Sequence, residues 1–200
     1  MTPRPVGLAA ARCHSLLVTD DGHVLAAGPA GASECAVADW TDVVAVAAGN
    51  VHTAKNTSRS HSVGLCSDGT VLATGWNAHG QCDVGAWTDI VTVAAGWRRI
   101  PGVRAKGTVV ATGRRAEGAC DVENWSQILA VSAGDWHSAG VRADGTVVAV
   151  GLNTRGQSEV AGWADVVAVS AGSLHTVGLT RNGSVLVCGN PAAGLTETRL

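Results

Sequence analysis

Short apolar runs punctuate this chain at a near-constant interval. Val43 to Gly49, Ile90 to Gly96, Ile128 to Gly134 and Val166 to Gly172 place β-branched residues at alternate positions and present no polar face. Runs this short fall below the length of a typical helix, and the pattern predicts a strand buried on both sides. A second short strand follows each run, as in His137-Ser138-Ala139-Gly140-Val141, and then a tight turn at Asp144-Gly145. Gly, often after Asp, accepts the positive φ that such a turn demands. A third strand, Thr146 to Gly151, leads into a loop of Asn-x-x-Gly-Gln type (Asn77 to Gln81, Asn153 to Gln157). The unit closes on a segment ending at Trp40, Trp87, Trp125 or Trp163.

The turn glycines Gly69, Gly107, Gly145 and Gly183 are 38 residues apart, a period that signals a propeller, solenoid or array. A degenerate copy opens the chain, with Cys13-His14-Ser15-Leu16-Leu17 and Asp21-Gly22. Trp40 and Trp87 are 47 residues apart where the next intervals are 38, so the second unit holds a nine-residue insertion at 52–60. That stretch is polar and unpatterned, which predicts an exposed loop. The units run over about 3–40, 41–87, 88–125, 126–163 and 164–200, and residues 1–200 form a single domain. The expected fold is all-β, a β-propeller of five blades with three to four antiparallel strands each. Whole units with almost no remainder favour a small closed ring, monomeric or completed by a homo-oligomer.

Composition narrows the function classes. Net charge is -2 and the Lys and Arg residues are scattered, so the basic stripe expected of a nucleic-acid binder is missing. No apolar run approaches the length of a membrane span, and no secretory signal is visible. Cys35, Cys82 and Cys120 recur at one repeat position, five residues before a Trp. Repeat equivalence explains them better than pairing does and predicts free thiols in a reducing, cytoplasmic setting.

Two sets of side chains could carry chemistry. His14, His61 (or His52), His137 and His175, with Arg99 in the fifth place, occupy one repeat position. Facing the channel they would form an axial ring able to take an anion or a metal. The preferred reading has each imidazole bonding a neighbouring turn and locking a corner. Cys-x-x-Cys and His-x-x-x-His spacings are absent, so no metal or other cofactor is implied. The ladder Trp40, Trp87, Trp125 and Trp163 is expected to wedge between blades. Trp76, Trp97 and Trp136 instead stand where sister units carry other residues. Large aromatics released from the repeat's structural demand suit interface anchors. With Arg98, Arg99, Lys55 and Arg59 they form the candidate protein-binding set. Cys13 beside His14 is no dyad, because adjacent strand residues face opposite ways.

The words Ala-Gly-x-x-His-Ser/Thr-x-Gly-Leu, Asp-Gly-Thr-Val, Gly-x-Asn-x-x-Gly-Gln and Trp-Thr-Asp-Ile-Val resemble the regulator-of-chromosome-condensation repeat family, in its short bacterial form. The resemblance spans essentially the whole chain and implies a β-propeller. Members are typically seven-bladed, whereas five units are written here. Relatives that bind proteins, a bacterial β-lactamase inhibitor among them, imply a non-enzymatic scaffold binding a protein through rim loops. The alternatives are a small-ligand or metal site at the axial His/Arg ring, and an enzyme with a site assembled across blades. The guanine-nucleotide exchange activity of the chromatin-bound member uses an inserted wedge, and the polar insertion here does not match it.

Overall fold

The structure is a computed structural model that describes residues 2–51 and 59–190, together with the backbone of Thr198–Arg199. The described residues form five antiparallel sheets, one per repeat unit, each running consecutively from its first strand to its last. The first holds β1 (Pro5–Ala10), β2 (Ser15–Thr19) and β3 (Val24–Ala27). The second holds β4 (Val43–Ala48), β5 (His61–Cys66) and β6 (Val71–Gly75). The third is β7 (Ile90–Val93), β8 (Arg99–Arg104) and β9 (Val109–Gly113). The fourth is β10 (Ile128–Ala133), β11 (His137–Arg142) and β12 (Val147–Gly151). The last adds a short fourth strand to β13 (Val166–Ala171), β14 (His175–Thr180) and β15 (Ser184–Gly189), namely β16 (Thr198–Arg199).

The 38-residue spacing of the turn glycines has a backbone cause. Gly107, at φ 81°, accepts at its carbonyl oxygen a hydrogen bond from the amide of Ile128, the first residue of the next blade's opening strand. Gly22, Gly69 and Gly145 do the same for Val43, Ile90 and Val166. A Cβ on Gly107 would sit 3.1 Å from the Gln127 backbone, so the turn has room only for hydrogen. Each hairpin tip therefore starts the following blade.

The opening strands depart from the expectation of burial on both faces. A register shift between the first and third residues makes a bulge in every blade. The bulge turns Val44, Val91, Leu129 and Val167 outward, and these are 54, 54, 62 and 46% exposed. The residue before each, Val43, Ile90, Ile128 or Val166, is buried, and those that follow are half-buried or, in the last blade, partly exposed.

Adhesion between blades rests on the Trp ladder. Trp40, Trp87 and Trp125 are buried, and each packs its six-membered ring against the middle strand of the following blade. The seat is always a glycine: Gly64 under Trp40, Gly102 under Trp87, Gly140 under Trp125 and Gly178 under Trp163. A Cβ at Gly140 would stand 2.9 Å from Trp125 Cζ3. Around each indole the middle strand of one blade meets the outer residues of the next, as Val63, Leu65 and Trp87 meet Val93 and Val110. Four such clusters join the five blades.

The first blade breaks this rule on its outer side. Leu17 occupies the glycine position, and Thr2 stands one period before Trp40. In register across the sheet, Leu8, Leu17 and Leu25 form a leucine row. Leu8 is 79% exposed and Leu25 62%. On the last blade Leu179 is 37% exposed, whereas its equivalents Leu65 and Val141 are at 4 and 2%. Among the described residues, the faces that closure within one chain would bring together stay partly uncovered.

Gly140→Leu should drive a side chain into the Trp125 indole and destabilise the fold by roughly 1–3 kcal/mol, the usual cost of overpacking. A urea-unfolding midpoint within error of the parent protein would show that the indole seat is not tight.

Candidate functional site

Two histidines of the repeat, His14 and His137, reach across blade junctions. His14, His61 and His137 are buried, as is Arg99 in the equivalent place, while His175 on the last blade is half-buried. His137 Nε2 is 2.7 Å from Thr176 Oγ1 of the next blade, and that hydroxyl donates to the Gln157 carbonyl at 2.8 Å. The hydroxyl's one proton is committed to the carbonyl, so the imidazole is the donor to it. His14 repeats the arrangement, with Nε2 3.0 Å from Ser62 Oγ, which donates to the Glu34 carbonyl at 2.6 Å. The Ser/Thr that follows His in the second and fifth units is therefore the receptor for the previous unit's imidazole. The Gly of Ala-Gly-x-x-His leaves room for the ring, since a Cβ on Gly172 would be 2.6 Å from His175 Cε1. His14 and His137 therefore bond a hydroxyl of the next blade in place of the expected turn carbonyl.

The third unit, with Arg99-Ile100 in place of His-Ser/Thr, perturbs both neighbours. Ile100 gives His61 no hydroxyl, and His61 lies against the Arg99 backbone without completing a hydrogen bond of normal geometry. Arg99 reaches into the next blade, where Nη2 and Nη1 donate to the Asp135 carbonyl at 2.7 and 3.3 Å. Arg99 is thus a junction residue and leaves the candidate protein-binding set. Among the described residues no group of three His, Cys, Asp or Glu could hold a metal ion. Burial pushes the thiols of Cys35, Cys66, Cys120 and Cys188 up, and that of Cys82 to about 11, so these five are not activated.

The other candidates converge on one rim. Trp76 leaves the last strand of the second blade, Trp97 and Arg98 form the corner between β7 and β8, and Trp136 stands at the same corner of the fourth blade. Trp97 and Trp136 meet edge to face, with ring centroids 4.5 Å apart and planes at 74°. The Arg98 guanidinium lies 3.7 Å from the Trp97 ring centroid and 5.1 Å from that of Trp76. Arg59 lies 5.7 Å from the Trp76 ring. The result is a continuous aromatic and cationic strip over three blades. Trp97 is sealed inside it, at 6% exposed, while Trp76, Arg98 and Trp136 are half-buried. Lys55 falls outside the described residues.

Three members of the strip escaped the sequence reading. His79 packs its ring edge-on against Trp76 at 5.1 Å, and its Nε2 is 3.2 Å from Arg98 Nη1. Guanidinium is always the donor, so this nitrogen carries the lone pair. Burial, then the charges of Arg98 and Arg114, hold the His79 pKa below its ordinary value. Arg114 and Glu117 stand one period after Trp76 and His79, and Arg114 Nε donates to both Glu117 oxygens at 2.7 and 2.9 Å. All three break the repeat pattern at their positions, so the rule that picked out Trp76 would have found them.

Arg98 also departs in its backbone. Its φ is 95°, and among the described residues no other unit has a positive φ at this corner position. Such a conformation costs a non-glycine residue of order 1–3 kcal/mol and collects at functional places.

The regulator of chromosome condensation (RCC1) repeat model matches residues 57–81, 128–157 and 166–194. No curated protein sequence matches the chain. Prp20p from Saccharomyces cerevisiae, whose crystal structure was described with its binding to Gsp1p and histones, superposes with a TM-score of 0.72 at 18% identity. That match covers 94% of this chain and 58% of Prp20p. Human WBSCR16 gives 0.74 at 18% identity, over 100% of this chain and 66% of WBSCR16. The ectodomain of the Arabidopsis thaliana receptor kinase ACR4 gives 0.72 at 20%, over 95 and 67%. The chain therefore spans 58 to 67% of the length of these structures, and the likeness is one of fold.

Burial lowers His61 and His137 to about 4 from an ordinary 6.5. The unfolded chain takes up these protons first, so their contribution is intact above pH 6.5 and is lost as pH falls toward 4. The loss should reach roughly 3 kcal/mol per site. Urea midpoints measured above and below this window should differ, and His61→Leu should shrink the difference. An unchanged difference in that variant would remove His61 as a source.

Proposed function

From a chain that carries regulator of chromosome condensation repeats, we propose a non-enzymatic scaffold that binds another protein through the Trp76–Arg98–Trp136 rim. The observation that carries this reading is convergence. The residues that break the repeat in three different blades come together in one strip, while the repeated His and Trp residues are spent inside the junctions. Half-buried indoles beside arginine have the composition of an interaction hot spot. The binding of Gsp1p and histones by Prp20p, a relative in fold, supports the same class of function.

Trp76→Ala and Trp136→Ala should each weaken capture of the partner at least about tenfold, as expected of hot-spot truncations. Both should leave the thermal midpoint within a few degrees of the parent, since neither is a junction indole. Trp97→Ala is the poorer test, because that ring is interior. A partner retained at parental affinity by both rim variants would refute the assignment.

A further inference from the structure

We infer that the Arg59–Trp76–Arg98 part of the rim is a receptor for carboxylates, and that the partner segment docking there is acidic. The inference rests on the rim reading above and specifies the chemistry of what it binds. Both guanidinium groups lie within 6 Å of one indole centroid, at 5.7 and 5.1 Å. Among the described residues neither is paired with a carboxylate. Acids are not scarce, since the chain has 16 Asp and Glu against 14 Lys and Arg. The neighbouring Arg114 shows the alternative, with its charge met by Glu117 at 2.6 Å. The insertion that leads to Arg59 contributes no acid in its sequence either.

Gathering like charges without a counter-charge is unfavourable in the free protein. Burial, then the charges of Arg114 and Arg59, push Arg98 below its ordinary pKa against the opposing pull of Glu117, whose carboxylate is itself paired with Arg114. The fold nevertheless holds Arg98 in place by three separate means. Its backbone takes a φ of 95°, its guanidinium stacks 3.7 Å from the Trp97 ring centroid, and Nη1 is bonded to His79. A guanidinium fixed in this way loses little freedom on binding and presents its remaining N–H groups to a carboxylate, which accepts them in a bidentate fork. Arg59, on the exposed side of Trp76, can close on the same group or on the next acid along. The indole between them offers an apolar face to the side-chain stem. A short peptide rich in Glu has the required shape and charge.

Acetylated, amidated hexaglutamate is the probe, titrated into the full chain at low salt and followed by tryptophan fluorescence and by calorimetry. Saturable binding is expected, weakened at least tenfold in Arg59→Gln/Arg98→Gln and lowered by added NaCl. Arg59→Gln alone, at an exposed loop position, should weaken binding severalfold and guards against misfolding of the double variant. Hexalysine should not bind. Absence of saturation at millimolar hexaglutamate, or binding indifferent to both arginine variants, would overturn the inference. So would competition by inorganic phosphate at equal concentration, which would make this a site for free anions. Hexaglutamate is insensitive to the rim reading's own test: partner loss in Trp76→Ala with no hexaglutamate binding leaves a protein-binding rim without the acidic specificity. Hexaglutamate binding with partner capture unchanged in Trp76→Ala leaves the converse.

Discussion

An indole lying on a glycine holds this molecule together. The middle strand of each of the last four blades gives up a side chain at Gly64, Gly102, Gly140 or Gly178, and the Trp from the preceding unit fills the space. The aromatic face spreads contact over two sheets at once, which explains how a chain without Phe or Tyr, built largely of Ala, Val and Gly, obtains enough buried area. The hydroxyl-bound histidines are secondary to it. They satisfy polar groups at the inner corner and tie neighbouring blades at a fixed offset, but the apolar clusters around the indoles carry the adhesion.

That division of labour sorts the side chains. The repeated His and Trp are mostly consumed by junctions, while Trp76, Arg98 and Trp136, which break the repeat, reach the surface. The third unit is the exception on both counts. Its Arg99-Ile100 deprives His61 of its hydroxyl and commits a guanidinium to the Asp135 carbonyl. Its Trp97-Arg98 corner then projects the centre of the rim strip. The same four-residue corner thus weakens a regular junction and builds the irregular surface. The positive φ of Arg98 is the backbone sign of that compromise.

The blades, their strands and the wedge role of the Trp ladder were legible in the sequence because periodicity and turn chemistry report on local and nearest-neighbour packing. Trp76, Trp97 and Trp136 could be singled out as repeat-breaking, yet only three dimensions show that they adjoin. Arg99 misled because its position in the repeat matched that of a histidine, while its length carries the charge into the next blade. The outward turn of Val44 and its equivalents was hidden for a different reason. A bulge changes the direction of a side chain without changing the alternation from which burial is read. His79 was overlooked as one loop residue among many, and its value lies in the lone pair it offers Arg98.

Leu17 constrains how such an array can lengthen. Any unit of this kind added upstream would bring its terminal tryptophan onto the middle strand of the first blade, where the other four offer a glycine. Leu17 already occupies that volume. Duplication at the amino-terminal side would therefore demand a matching loss of the leucine, whereas Gly178 shows that the last blade accepts its predecessor's indole in the ordinary way. A blade grafted upstream would have to come with a smaller residue at position 17.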